Sequence, residues 1–210
     1  MSLKLMRRRV IIKWLSNISL VWVVFLAGCF KTQTEGNDTT NNFITVVSVE
    51  GIQGQGTTTS GDDLFSDICD NSSETGCVAF NDSALITLRG APKDQGSPLS
   101  SVNTIVFERY RVSYIRSDGR NVPGVDVPYS FDGATNFAVL ADGTTSGRVL
   151  MVVRQQAKFE SPLRELRGDA GAPGDLILSV IAQIELFGRD GAGRSIKVTA
   201  FLNITFADFS

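Results

Sequence analysis

Residues 176–207 read LILSVIAQIELFGRDGAGRSIKVTAFLNITFA, and this stretch decides the fold. Leu176, Leu178, Val180, Ala182, Ile184 and Leu186 recur at every second position. Ile196, Val198, Ala200, Leu202, Ile204 and Phe206 do the same after the break. A period of two puts each set on one face of a strand. Arg189-Asp190-Gly191-Ala192-Gly193-Arg194 between them is turn chemistry. The stretch therefore predicts a long β-hairpin with one buried side. Lys197, Thr199, Asn203 and Thr205 face the other way on the returning strand. The first strand also carries Ile177, Ile181 and Phe187 on its second face, which predicts a central place in its sheet.

Similar signals recur upstream. Phe43–Val49 and Ser83–Arg89 are short apolar runs that read as strands, joined by a long polar loop from 50 to about 82. Thr104–Arg116 reads as a long strand with Val106, Tyr110, Val112 and Tyr114 on one face. Further strands are expected at Val125–Phe131, Thr135–Leu140 and Gly147–Gln156, with turns at Asp118-Gly119, Asp132-Gly133 and Asp142-Gly143. Ser161–Arg167 is the one helical candidate outside the N-terminal segment, one or two turns long. Seven or eight strands with this punctuation predict an all-β, antiparallel β-sandwich over residues 43–210, with a closed barrel second.

The N-terminus has a different character. Lys4, Arg7, Arg8, Arg9 and Lys13 precede or interrupt an apolar run from Val10 to Phe25, and Ala27 and Gly28 precede Cys29. A basic start, an apolar middle and small residues at the exit describe a helical export signal over residues 1–28. Leu26-Ala27-Gly28-Cys29 resembles the lipobox of bacterial lipoproteins. The resemblance implies cleavage before Cys29, a lipid (palmitate among its acyl chains) on that cysteine, and membrane attachment through it. Phe30 rather than Asp after the cysteine implies, by likeness to enterobacterial sorting, the outer membrane, with its face open. Residues 29–42 then form a polar tether, KTQTEGNDTTNN from Lys31 on. The strand pattern of 43–210 is similar to the immunoglobulin-like and fibronectin-type domains of bacterial surface proteins. The likeness is architectural, since both tryptophans, Trp14 and Trp22, lie in the signal.

Composition narrows the chemistry. The chain has 210 residues, 20 basic and 22 acidic. The signal takes five basic residues and no acid, so 15 face 22 and the mature net charge is −7. Such a chain does not suit a nucleic-acid partner. Histidine is absent, which excludes Ser-His-Asp and Cys-His catalysis and histidine-ligated metals. With Cys29 committed to lipid, Cys69 and Cys77 remain as a disulfide pair for an oxidising compartment. Closing so short a loop is worth about 2–3 kcal/mol in chain-entropy terms.

No motif specifies a reaction. Arg167-Gly168-Asp169 spells an adhesive tripeptide, but Gly-Asp is ordinary turn chemistry. The acids before glycine lack a calcium-loop spacing, and Asp62, Asp63, Asp67 and Asp70 form a loose acidic cluster. Glu108, Arg109 and Arg111 on one strand read as a cross-strand charge ladder. No catalytic residues, metal or cofactor are assigned. The expected role is a non-enzymatic one, structural, adhesive or in assembly, toward an envelope or surface protein or glycan. A carbohydrate-binding module is the second reading and a histidine-free glycan hydrolase the third.

Overall fold

The computed structural model describes residues 40–54, 63–69, 77–94, 96, 101–167 and 176–209. The export segment, Cys29 and all of the tether before Thr40 lie outside the described residues. So do Gly168 and Asp169.

The chain is all-β, in two sheets. The strands are β1 (Asn42–Ile52), β2 (Asp63–Asp67), β3 (Asp82–Pro92), β4 (Ile105–Ile115), β5 (Phe131–Val139), β6 (Thr145–Val153), β7 (Leu178–Asp190) and β8 (Ser195–Ala207). The smaller sheet has the order β1-β3-β6, and the larger β2-β8-β7-β4-β5.

The deciding hairpin is β7–β8, paired from Leu178↔Phe206 to Arg189↔Ser195. Its predicted inner face, from Leu178 to Leu186 and from Ile196 to Phe206, is buried. Leu176 and Ile177 stand before the strand and are exposed. Asp190 closes the turn: its carboxylate accepts hydrogen bonds from the backbone N–H of Ala192 and of Arg194, and from Arg194 Nε at 2.7 Å. Gly193 supplies the positive φ, +81°, that the turn requires. β7 pairs with β8 on one side and β4 on the other, so it is central as its two apolar faces predict.

Two bulges explain why the other alternations are harder to follow. In β1 the buried positions run Asn42, Ile44, then Val49, Gly51; the register slips between Val46 and Ser48, and Val47 is left exposed. In β4 Ile105 and Phe107 are buried, then Tyr110, Val112 and Tyr114, with the slip at Glu108. Val106 is therefore on the outer face, not with Tyr110 as simple alternation implies.

Other expectations are corrected. Asp132-Gly133 does not turn the chain but lies inside β5, which starts at Phe131. Residues 125–130 form no strand; Val127 bridges Pro123 in a loop, as the prolines on either side dictate. The polar stretch from 50 to 82 contains the end of β1 and the whole of β2. β2 is parallel to β8, so the larger sheet is mixed rather than purely antiparallel. Short 3-10 helices occupy Gln155–Phe159 and Leu163–Leu166; the strand expected to Gln156 ends at Val153, where the first of them takes over. Thr40 and Asn42, at the end of the expected tether, are already buried.

Both sheets contribute to one apolar cluster. Ile44, Ile86, Leu88 and Val152 come from the smaller sheet, and Phe107, Val112, Ile184 and Phe206 from the larger. Leu163 and Leu166 of the second 3-10 helix close one end. Tyr114 ties the sheets with a polar bond, its hydroxyl donating to the Val152 carbonyl at 2.7 Å, and burial pushes its phenol pKa upward. Cys69 and Cys77 form the expected disulfide, with Cα atoms 5.1 Å apart.

Candidate functional site

β2 places Leu64 and Ser66 inward and Phe65 outward. β3 begins with Asp82 inward, opposite the last residue of β6, Val153. The chain leaving β6 winds into the first 3-10 helix, which delivers Lys158 into the same interior. Three distant segments thus meet around one carboxylate. Asp82 Oδ2 accepts from Ser66 Oγ at 2.6 Å and from Lys158 Nζ at 2.8 Å, and Oδ1 accepts from the Gly54 N–H at 2.8 Å. Lys158 Nζ also donates to the Asp67 carbonyl at 2.7 Å. Ser66, Asp82 and Lys158 are each no more than 2% exposed.

A cleft of about 290 Å³ opens above this group, lined by Gln53, Phe65, Val78, Phe80 and Phe209, with Asp82 and Lys158 on its floor. Phe65 and Phe209 meet edge to face, their centroids 6.2 Å apart. Gln53 Nε2 donates to the Phe65 carbonyl and pins β2 beside the end of β1. Asp67 Oδ1 accepts from the N–H of Cys69 and of Phe209. Burial raises the Asp67 pKa, and these two bonds offset part of that rise.

Serine, lysine and aspartate are residue types of hydrolytic chemistry, but their geometry here serves packing. Ser66 donates to the carboxylate that holds Lys158, and a charged ammonium has no lone pair to take the serine proton. The serine is also fully enclosed. A buried charge pair, with further bonds from Ser66 and Gly54 and to the Asp67 carbonyl, joins β2, β3 and the 3-10 helix.

The outer face of the larger sheet carries the predicted charge ladder, extended beyond β4. Arg111 makes two bonds of 3.0 Å to Asp132 on β5 and stands opposite Glu185 on β7. Glu185 accepts from Lys197 on β8 at 2.8 Å. Arg109 does not join by an ion pair; its guanidinium lies 4.6 Å over the Phe187 ring. The Arg111 hydrogen bonds hold the Asp132 carboxyl below the usual carboxylate range. A depressed folded-state pKa contributes stability above the unfolded value, which is lost as pH falls through the folded one. An NMR titration is expected to show Asp132 protonating below ordinary aspartates, and Arg111→Ala to return it to the ordinary range.

Of the acidic cluster, Asp63 accepts from Asn203 Nδ2 at 3.1 Å and Asp67 binds backbone, while Asp62 and Asp70 lie outside the described residues. No group of three or more metal-ligating side chains gathers among the described residues. The Ser66–Asp82–Lys158 group was not foreseen. Its only trace in the sequence is an acid at the start of an apolar strand and a lysine beside Ala157 and Phe159. No protein-family model, curated protein or solved structure matches the chain.

Proposed function

We propose that the protein is a lipid-anchored lipoprotein of the bacterial envelope with a non-enzymatic role, binding another envelope or surface component through an immunoglobulin-like β-sandwich. One observation carries the non-enzymatic reading: Ser66, Asp82 and Lys158 are buried and bonded to one another, whereas the accessible chemistry is exposed aromatics and open-faced cations. That is recognition chemistry rather than a nucleophile with its base. The Leu26-Ala27-Gly28-Cys29 lipobox supports the anchor, and the Cys69–Cys77 bridge accords with an oxidising compartment. The acidic mature surface favours covalent over electrostatic attachment to anionic lipid.

Wild-type protein is expected to incorporate labelled palmitate in cells, and Cys29→Ala to lose the label completely. Pull-down from detergent-solubilised envelope should recover a stoichiometric partner. A chain that stays unacylated in the cytosol, or always elutes alone, refutes the corresponding half of the reading.

A second reading, a glycan-binding module, is favoured by the clustering of Phe65, Phe80 and Phe209 around the cleft. Phe209→Ala should then abolish retention on a glycan column without lowering stability appreciably, because Phe209 is half exposed.

A further inference from the structure

A concavity of about 630 Å³ lies on the outer face of the five-stranded sheet, in the size range of ligand pockets. Glu108, Arg109, Phe187, Arg189 and Lys197 line it. We propose that it is an oxyanion-binding site, taking a ligand that carries phosphate or carboxylate groups. This deepens the binding role proposed above and rests on it.

Strand register sets the geometry. Arg109 stands opposite Phe187, and Phe187 opposite Lys197, so the two cations flank the ring across three adjacent strands. With strands about 4.8 Å apart, their Cα atoms are separated by about 10 Å. Arg189 is two residues beyond Phe187 on the same face, hence a diagonal neighbour of both, about 7–8 Å away. Three cations thus surround one aromatic floor.

The partners available to them differ. Lys197 is paired with Glu185. Arg109 and Arg189 make no ion pair or hydrogen bond to any carboxylate among the described residues. This holds although acids outnumber bases 22 to 15 in the mature chain. Four other arginines do find an aspartate: Arg111, Arg116, Arg120 and Arg194. Glu108 is the one acid lining it; with Lys197 answered by Glu185, the two arginines leave one positive charge in excess, and Asp132 of the neighbouring ladder acts on Arg109 through its charge without a direct bond. The Arg109 guanidinium lies over the Phe187 ring, 4.6 Å from its centroid, and no carboxylate among the described residues takes its N–H groups. A planar fork of that kind matches the paired oxygens of a carboxylate or phosphate.

The β4 bulge is the device that builds the site. Ile105 and Phe107 point inward, so strict alternation would turn residue 109 into the core. The bulge takes up Glu108 as an extra residue, so that Glu108 and Arg109 both face outward and Arg109 stands opposite Phe187. Bulges commonly re-aim side chains in this way beside functional sites.

The test is calorimetric titration of the acylated full-length protein in detergent with pyrophosphate and, separately, citrate. Saturable binding of either probe is expected, pyrophosphate alone marking a phosphate site and citrate alone a carboxylate site. Raising the salt should weaken it, since the contacts are exposed. Arg109→Gln and Arg189→Gln should each lower affinity by about tenfold or more, as loss of a charged hydrogen bond does. Arg148→Gln, which removes an exposed charge from β6 on the other sheet, should leave affinity unchanged. The site is overturned if neither probe binds, or if Arg148→Gln weakens binding as much as the other two. It is independent of the pull-down. A chain that elutes alone yet binds a probe through Arg109 and Arg189 keeps the site and loses the envelope partner. A chain that recovers a partner yet binds neither probe does the reverse.

Discussion

Lys158→Ala is expected to destabilise the protein by about 3–5 kcal/mol in equilibrium urea denaturation, since it strands a buried carboxylate. Asp82 keeps its bonds from Ser66 and Gly54 in this variant, but loses the ammonium that neutralises it, 2.8 Å away with both side chains buried. The Asp67 carbonyl loses its Lys158 partner in the same stroke. Asp82→Asn should cost a comparable amount from the other side, leaving a buried ammonium without its counter-charge. The double variant Lys158→Met with Asp82→Asn is expected to cost clearly less than the sum of the two. The methionine replaces the lysine's buried aliphatic stem, and the asparagine oxygen still accepts from Gly54. That non-additivity separates an ion pair from two independent packing residues. A single-variant cost under about 1 kcal/mol would mean that water reaches the pair and that the cleft floor is not closed.

The consequence reaches the aromatic cleft. Phe65 and Asp67 are on β2, Asp82 opens β3, and Lys158 sits beside Phe159 at the end of the first 3-10 helix. The charge pair therefore holds in register the short parallel strand that lines the cleft. β2 has only five residues and, among the described residues, one strand partner, β8. Without the pair, β2 is expected to be the first strand to exchange its amide hydrogens, because local opening follows the sparsest contacts.

How much of this was legible in the sequence depends on which force set each feature. The β7–β8 hairpin is legible because eleven alternating positions obey one period and its turn carries Asp190 and Gly193. β2 is not: Asp-Leu-Phe-Ser-Asp has only two apolar residues, and its register comes from pairing with β8, 140 positions away along the chain. Propensity yields there to tertiary context. Asp132-Gly133 carries turn chemistry, yet Arg111 draws Asp132 into the sheet and Gly133 gives the Tyr110 ring room to lie against the strand. The Ser66–Asp82–Lys158 group was invisible because spatial convergence of three segments leaves no spacing to read. On the outer face, Arg109 and Arg111 were read correctly as outward, but the ring of cations includes Arg189 and Lys197, which only the strand order β8-β7-β4 brings beside them.

Phe107→Ala is the other change with a large expected effect. Phe107 is fully buried and packs against Phe137 with centroids 6.0 Å apart. Truncating a buried phenylalanine to alanine leaves a cavity and costs about 3–5 kcal/mol. That is a large share of the stability of a marginal domain, so calorimetry should find a transition greatly lowered or absent. Deletion of Glu108, the next residue, should by contrast be mild. Phe107 and Arg109 already stand opposite consecutive residues of β7, Gly188 and Phe187, which makes Glu108 the extra residue of the bulge. Without it β4 alternates strictly and keeps its faces, with Phe107 inward, Arg109 outward and Tyr110 inward. A deletion variant that unfolds as readily as Phe107→Ala would show that the fold depends on the bulge itself and not only on the faces it preserves.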